Sequence, residues 1–220
     1  MKQCIDLMLC ILPFEKNYFK AQWNWEVEYV GHPLIEVIEQ FKATHQSEPK
    51  PIVALLPGSR KQEIAKKLPI MLSVASHFPD YEFVVAKAPG QEDAFYEPFL
   101  QGQENVRVVK DSTYALLMQS SAALVTSGTA TLETALFSVP EVVCYKGSNI
   151  SYQIARRLVK IKFISLVNLI MDKEIVKELI QDELNTMNLV NALNSLLKNN
   201  QDQAILKEEY SKLYQLLSAG

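Results

Sequence analysis

The chain has 220 residues, 48% apolar and 21% charged, with 22 Lys plus Arg against 25 Asp plus Glu and a net charge of −3. These fractions describe a folded globular chain and exclude disordered and fibrous classes; the slightly acidic balance argues against a bulk nucleic-acid binder. Three cysteines, Cys4, Cys10 and Cys144, show no C-x-x-C spacing, which fits a reducing compartment better than a disulfide framework or a zinc site.

The N-terminal apolar stretch from Ile5 to Phe14 is interrupted by Asp6 and lacks a small-residue cleavage site, so it reads as interior sequence rather than a signal. Cys4 to Leu12 and Val27 to Val30 read as strands, with a helix near Glu15 to Lys20. Leu34 to Phe41 is helical, and Thr44 to Pro51 is a polar linker with two prolines. From Pro51 onward, short β-branched runs alternate with helical stretches. The strands are Ile52 to Leu56, Tyr81 to Ala86, Val106 to Val109, Ala122 to Thr126 and Glu141 to Tyr145, with Phe163 to Leu166 as a final short one. The helices are Glu63 to His77, which contains Pro69, then Gln91 to Leu100, Tyr114 to Gln119, Thr129 to Phe137 and Ile150 to Val159. This alternation predicts an α/β fold, a Rossmann-like parallel sheet with helices on both faces. After Asp172 the pattern is wholly helical, with amphipathic stretches over Leu184 to Leu197 and Ala204 to Leu217. The expected domains are a remnant of another unit over 1–33, a helix and linker over 34–50, a nucleotide-binding domain over 51–172 and C-terminal helices over 173–220.

Ligands of such sheets bind beyond the carboxyl ends of the strands. Three of the seven glycines, Gly58, Gly128 and Gly147, follow strands there. Gly58 and Ser59 open the helix after the first strand, and Arg60 offers a bidentate fork for a phosphate; a tight turn with a solvated arginine is the plainer alternative. Ser127, Gly128 and Thr129 open a second helix, where Glu133 either meets a ribose diol or balances the helix dipole. Tyr145 and Lys146 follow the fifth strand, and Asn168 sits in a loop, where asparagine is often a turn former. Arg156, Arg157, Lys160 and Lys162 form the basic face of an amphipathic helix that suits an anionic membrane, although a solvated outer face is commoner. There is no Walker pattern, G-x-G-x-x-G, G-x-S-x-G elbow or paired Cys/His spacing for a metal. The residues alone reach a nucleotide-binding α/β domain.

Taken in order, the motifs resemble the lipid-A-disaccharide synthase family, glycosyltransferases with the two-domain GT-B architecture. The matching stretches are Ile11-Leu12-Pro13-Phe14-Glu15, Gly31-His32-Pro33, Leu55-Leu56-Pro57-Gly58-Ser59-Arg60 with Glu63, and Ser127-Gly128-Thr129-Ala130-Thr131-Leu132-Glu133. They continue with Val143-Cys144-Tyr145-Lys146, Ser165-Leu166-Val167-Asn168-Leu169-Ile170 and Glu178-Leu179-Ile180-Gln181. Val167 stands where the family usually has proline. The resemblance implies the C-terminal, donor-nucleotide half of such an enzyme, with 1–33 as the last part of the acceptor domain. The implied reaction transfers 2,3-diacylglucosamine from its UDP conjugate to 2,3-diacylglucosamine 1-phosphate, giving a β-1,6 disaccharide with inversion and without metal or cofactor. Gly58, Ser59, Arg60, Ser127, Gly128 and Thr129 would face the diphosphate and Glu133 the ribose. Tyr145, Lys146 and Asn168 would line the donor pocket.

The catalytic base would lie in the acceptor domain outside this chain, so the chain alone should not turn over, and 1–33 should be poorly ordered. The resemblance also implies a cytoplasmic location, with the inner-membrane surface and a homodimer as further partners. A UDP-sugar 2-epimerase and an inactive UDP-binding module are the alternatives.

Overall fold

The computed structural model describes residues 4–147 and 162–219. Its centre is a six-stranded, all-parallel sheet of β3 (Ile52–Leu56), β4 (Glu82–Lys87), β5 (Val106–Lys110), β6 (Ala122–Thr126), β7 (Glu141–Tyr145) and β8 (Lys177–Ile180), ordered β5-β4-β3-β6-β7-β8. Alternate residues of each strand feed two cores. Ala54, Val84, Ala123, Val125 and Val143 face one side; Val53, Leu55, Val85, Leu124 and Val142 face the other. Burial on both faces explains the continuous apolar runs.

Four crossover helices connect the first five strands: α3 (Lys61–Leu72), α4 (Asp93–Leu100), α5 (Thr113–Gln119) and α6 (Thr129–Leu136). The sequence pattern predicts one helix to His77, but α3 stops at Leu72 and a 3-10 turn covers Ala75–His77. The strand expected over Phe163 to Leu166 does not form. That segment is a loop leading into α7 (Leu166–Met171), whose start is capped by Ser165 Oγ accepting from Asn168 N at 3.2 Å. The sixth strand is β8 instead, within the stretch predicted to be wholly helical, so the sheet runs past the expected boundary at 172 to Ile180. The helix expected over Ile150 to Val159 lies outside the described residues.

The two C-terminal helices flank the sheet on opposite faces. Helix α8 (Thr186–Lys198) buries Leu189 and Leu193 against the α3 face. Helix α9 (Asn200–Ser218) buries Leu206, Tyr210, Leu213 and Leu217 against the other face, beside α2 (Leu34–Thr44) and α6. Residues 9–29 form a small β-α-β unit of β1 (Leu9–Cys10), α1 (Pro13–Trp23) and β2 (Glu28–Tyr29), the two strands pairing in parallel. It is anchored to α9: Tyr29 Oη donates to Leu216 O at 2.8 Å and His32 N donates to Leu217 O at 2.8 Å. Leu7, Leu9, Phe14, Tyr18 and Trp23 remain exposed on this unit.

Several buried polar atoms lack a hydrogen-bond partner among the described residues, the Glu141 carboxylate with them. Glu141, at the amino end of β7, is inaccessible to solvent, and neither carboxylate oxygen has a hydrogen-bond partner. Burial pushes its carboxyl well above the ordinary glutamate value of 4.5. A raised folded pKa means the neutral form's contribution is fully present below the unfolded value and is lost as pH rises through the folded one. The melting temperature of Glu141→Gln should therefore gain on wild type as pH is raised from the ordinary glutamate range into the alkaline; a constant difference across that span would contradict the assignment.

Candidate functional site at the carboxyl edge of the sheet

The sheet order places the topological switch point between β3 and β6, from which the chain winds outward in both directions. A crevice at that point is where open α/β sheets take ligands. The two loops flanking it are Pro57-Gly58-Ser59-Arg60 after β3 and Ser127-Gly128 after β6, so two segments 69 positions apart in sequence become neighbours.

Gly58 has φ +114°, and a Cβ built there would lie 3.0 Å from Glu63 Oε2, 3.4 Å from Lys67 Nζ and 3.6 Å from Thr126 Cγ2. The positive φ requires glycine, and an added Cβ would also crowd the side-chain ends of Glu63 and Lys67. Gly128 has φ +143°, and an added Cβ would meet nothing within 4 Å, so it needs glycine for conformation alone. Arg60 and Gly128 are the N-cap residues of α3 and α6, and neither helix start has a side-chain cap. Their first-turn N–H groups can therefore serve an anion. The Arg60 guanidinium is 83% exposed and is held by Glu63 Oε1 at 3.4 Å. Such an exposed pair contributes little to stability and leaves the guanidinium mobile enough to turn to a ligand.

Glu133 is half-buried on α6 and accepts from Tyr114 Oη at 3.3 Å. Burial pushes its carboxyl up, and the Tyr114 hydrogen bond pulls it back. The Tyr114 phenol is pushed up to about 12, by burial first and then by the Glu133 charge. Tyr145, the last residue of β7, and Lys146 just after it are half-buried, and Gly147 N donates to Gln181 Oε1 at 3.0 Å. The loop after β4, which the sequence reading did not single out, also reaches the crevice: Gln91 Nε2 donates to Ser59 O at 3.2 Å.

Ser127 and Asn168 have structural engagements. Ser127 Oγ donates to Ile164 O at 2.7 Å, tying the 162–165 loop to the switch point. Asn168 is fully buried. Its Nδ2 donates to Val176 O and Glu178 Oε1, each at 2.9 Å, and its Oδ1 accepts from Ile175 N at 2.7 Å and Val176 N at 3.0 Å. Glu178 is the hub: its carboxylate accepts from Ile164 N, Ser165 N, Ser165 Oγ and Asn168 Nδ2 at 2.7–2.9 Å. Asn168 thus shapes this rim from within.

Of the basic set, Arg156, Arg157 and Lys160 lie outside the described residues. Lys162 is exposed and pairs with Asp172 Oδ1 at 2.9 Å. Among the described residues no group of three His, Cys, Asp or Glu side chains is placed to hold a metal, and no helix is long and apolar enough to cross a membrane. A recess of about 740 Å³ runs along edge strand β8 between α8 and α9, lined by Lys177, Leu179, Asn191 and Ile205. None of the candidate site residues lines it.

A family model described as lipid-A-disaccharide synthetase matches residues 1–219. The chain belongs to that family. The lipid-A-disaccharide synthase of Syntrophus aciditrophicus is 34% identical over 95% of this chain and 58% of its own length, and that of Trichlorobacter lovleyi is 32% identical over 100% and 60%. That of Anaeromyxobacter sp. strain K reaches 40% over 81% and 50%. The chain thus spans between half and three-fifths of the relatives it matches. Two solved structures share the fold: a protein assigned as a UDP-N-acetylglucosamine 2-epimerase from Listeria monocytogenes has a TM-score of 0.65 at 13% identity, covering 96% of this chain and 59% of its own. A spinosyn rhamnosyltransferase has 0.58 at 13%, covering 97% and 53%. These likenesses concern architecture; membership of the synthase family rests on the sequence match.

The Glu178 hub makes a direct prediction. Glu178→Gln places an amide N–H₂ where donors already point and should destabilise the fold by roughly 1–3 kcal/mol, the cost of a buried group left without its partner. Denaturant unfolding at matched pH measures this, and unchanged stability would show the hub to be unimportant.

Proposed function

We propose that this chain is the donor-nucleotide part of a lipid-A-disaccharide synthase and binds UDP-2,3-diacylglucosamine at the carboxyl edge of its sheet. The observation that carries this reading is the meeting of the Gly58 and Gly128 loops at the switch point between β3 and β6, in a chain whose family match spans residues 1–219. Gly58, Ser59 and Arg60 face the diphosphate from α3, and Ser127, Gly128 and Thr129 face it from α6. Glu133 takes the ribose hydroxyls, with Tyr114 orienting its carboxylate. Tyr145 and Lys146 line the sugar side. Asn168 acts indirectly, through the rim it holds with Glu178.

In the transfer, the acceptor hydroxyl gives its proton to a base and its oxygen bonds the donor's anomeric carbon. The bond from that carbon to the diphosphate oxygen breaks on the opposite face, so the centre inverts and UDP leaves with the electron pair. Arg60 and the two helix starts stabilise the charge that develops on the leaving diphosphate. The base must stand within ~3 Å of the acceptor hydroxyl, directly or through one water. The carboxylates and histidine of the first 33 residues are poorly suited. Glu15 Oε2 accepts from Ile11 N at 3.2 Å and Leu12 N at 2.9 Å at the start of α1, and His32 Nδ1 accepts from Leu34 N at 3.2 Å in the junction with α9. Burial also holds the His32 imidazole below its ordinary value, which weakens it as a base. In this reading the base belongs to an acceptor domain outside these residues. The acyl chains of donor and acceptor set the reaction at the cytoplasmic face of the inner membrane. The basic residues 156–162 are the membrane-facing group in this reading, and a second copy of the chain is its other proposed partner.

Arg60→Ala should weaken UDP by roughly 1.5–3 kcal/mol, the range for hydrogen bonds to charged groups; unchanged affinity in calorimetry would remove Arg60 from the site. Glu133→Gln should weaken UDP far more than inorganic diphosphate, because only UDP carries the diol. Equal losses would reduce Glu133 to a helix-start role. The purified chain, given the diacylated UDP donor and the lipid acceptor, should form no disaccharide. Product formation abolished by His32→Ala would make these 220 residues a minimal transferase.

A further inference from the structure

Lys67 is a lysine where the fold needs an apolar residue. It lies on α3 in the stripe of Ile64, Leu68 and Met71, all fully buried, and its own side chain is only 4% exposed. Its stem follows the helix to the carboxyl edge of the sheet. There the ammonium donates to Thr126 Oγ1 at the end of β6, lies 3.9 Å from Glu63 Oε2, and would be 3.4 Å from a Cβ on Gly58. It is thus a positive charge lodged under the switch point, directly behind the loop that faces the crevice.

Burying an ammonium is costly unless a partner repays it. The compensation among the described residues is partial. Thr126 is neutral, and Glu63 is beyond hydrogen-bond distance and shares its other oxygen with Arg60. Glu63 therefore stands between two cations, Arg60 outside and Lys67 inside, and this trio carries one net positive charge. The outer cation is mobile; the inner one is fixed by its burial.

We propose that Lys67 is a positioning residue for the donor's diphosphate, a fixed counter-charge that raises the positive potential of the Gly58 cradle and leaves Arg60 free to close on the ligand. This rests on the donor-site reading given above. A charge already in place in a water-poor site needs no reorganisation when the anion arrives, and it acts more strongly there than in solvent. Burial lowers the Lys67 ammonium from its ordinary value, while Glu63 and then Cys144 oppose that shift. These are the titratable groups that face it: Glu63 on its own helix and Cys144 on β7, whose thiol burial pushes up to about 12. From β6 it meets the Thr126 hydroxyl, and in the loop after β3 it lies 3.4 Å from where a Cβ on Gly58 would stand.

The test compares UDP, inorganic diphosphate and uridine on the whole chain by titration calorimetry or NMR. Lys67→Met keeps the stem and removes the charge. It should weaken UDP and diphosphate by at least roughly tenfold each and leave uridine unchanged, since a unit charge acting over about 12 Å at an effective dielectric near 20 already accounts for that much. Wild type should lose UDP affinity as rising pH discharges Lys67, and the variant should lack that loss. Lys67→Gln, which retains a donor for Thr126, should behave alike in binding and serves if the methionine variant does not fold. Unchanged UDP affinity and an unchanged alkaline limb in either folded variant would overturn the proposal and leave Lys67 a strut between α3 and β6. Equal losses for uridine would likewise overturn it, since they would report a deformed pocket. If wild type binds UDP and Arg60→Ala weakens it while Lys67→Met does not, only this inference fails. Failure of wild type to bind UDP would sink the donor-site reading and this inference with it.

Discussion

The carboxyl edge of this molecule depends on one close approach, that of the Gly58 backbone to the end of β6. Three atoms from two elements surround the place where a side chain would start: Glu63 Oε2 and Lys67 Nζ from α3, and Thr126 Cγ2 from β6. A Cβ there would crowd the Glu63 carboxylate and the Lys67 ammonium and shift both from the base of the crevice. Because φ at Gly58 is +114°, the loop can turn sharply enough to deliver Arg60 to the N-cap of α3. The helix start, the guanidinium and the buried ammonium all take their places from that turn.

A second arrangement fixes the opposite rim. Glu178 projects from the edge strand and gathers backbone and side-chain donors of the 164–168 loop, while Ser127 Oγ binds the same loop from the β6 side. Polar groups buried this completely are stabilising only when each has its partner. In Asn168 every amide position is used, which converts a turn-forming residue into a rivet between α7 and β8. The contrast with Glu141 is instructive: it is equally buried at the opposite end of the sheet, and its carboxylate is left without a hydrogen bond.

Most of the architecture was legible because the sheet is buried on both faces. Continuous runs such as Ile52 to Leu56 and Ala122 to Thr126 have no other economical home, and strand–helix alternation with short connections leaves a parallel sheet as the outcome. The sixth strand escaped notice for the same reason in reverse. Lys177-Glu178-Leu179-Ile180 is an edge strand, short and half polar, and its buried glutamate serves a loop instead of a core. Phe163 to Leu166 has the composition of a strand, but its backbone donors are taken by Glu178 and Ser165 caps a helix. Lys67 was visible in principle, since it shares the helical stripe of Ile64, Leu68 and Met71. A charged residue on an apolar stripe is the signal.

By itself the sequence determined the class of fold and the family. Each of these follows from local pattern: period, composition and ordered motifs. Only the tertiary structure decided what those motifs do to one another. Strand order made neighbours of Gly58 and Thr126, and packing against β6 placed the Lys67 ammonium beneath them. Burial made Asn168 a support and not a wall. Such outcomes depend on contacts between residues far apart in the chain. No window of sequence contains both partners, and so the chemistry of the site is a property of the fold.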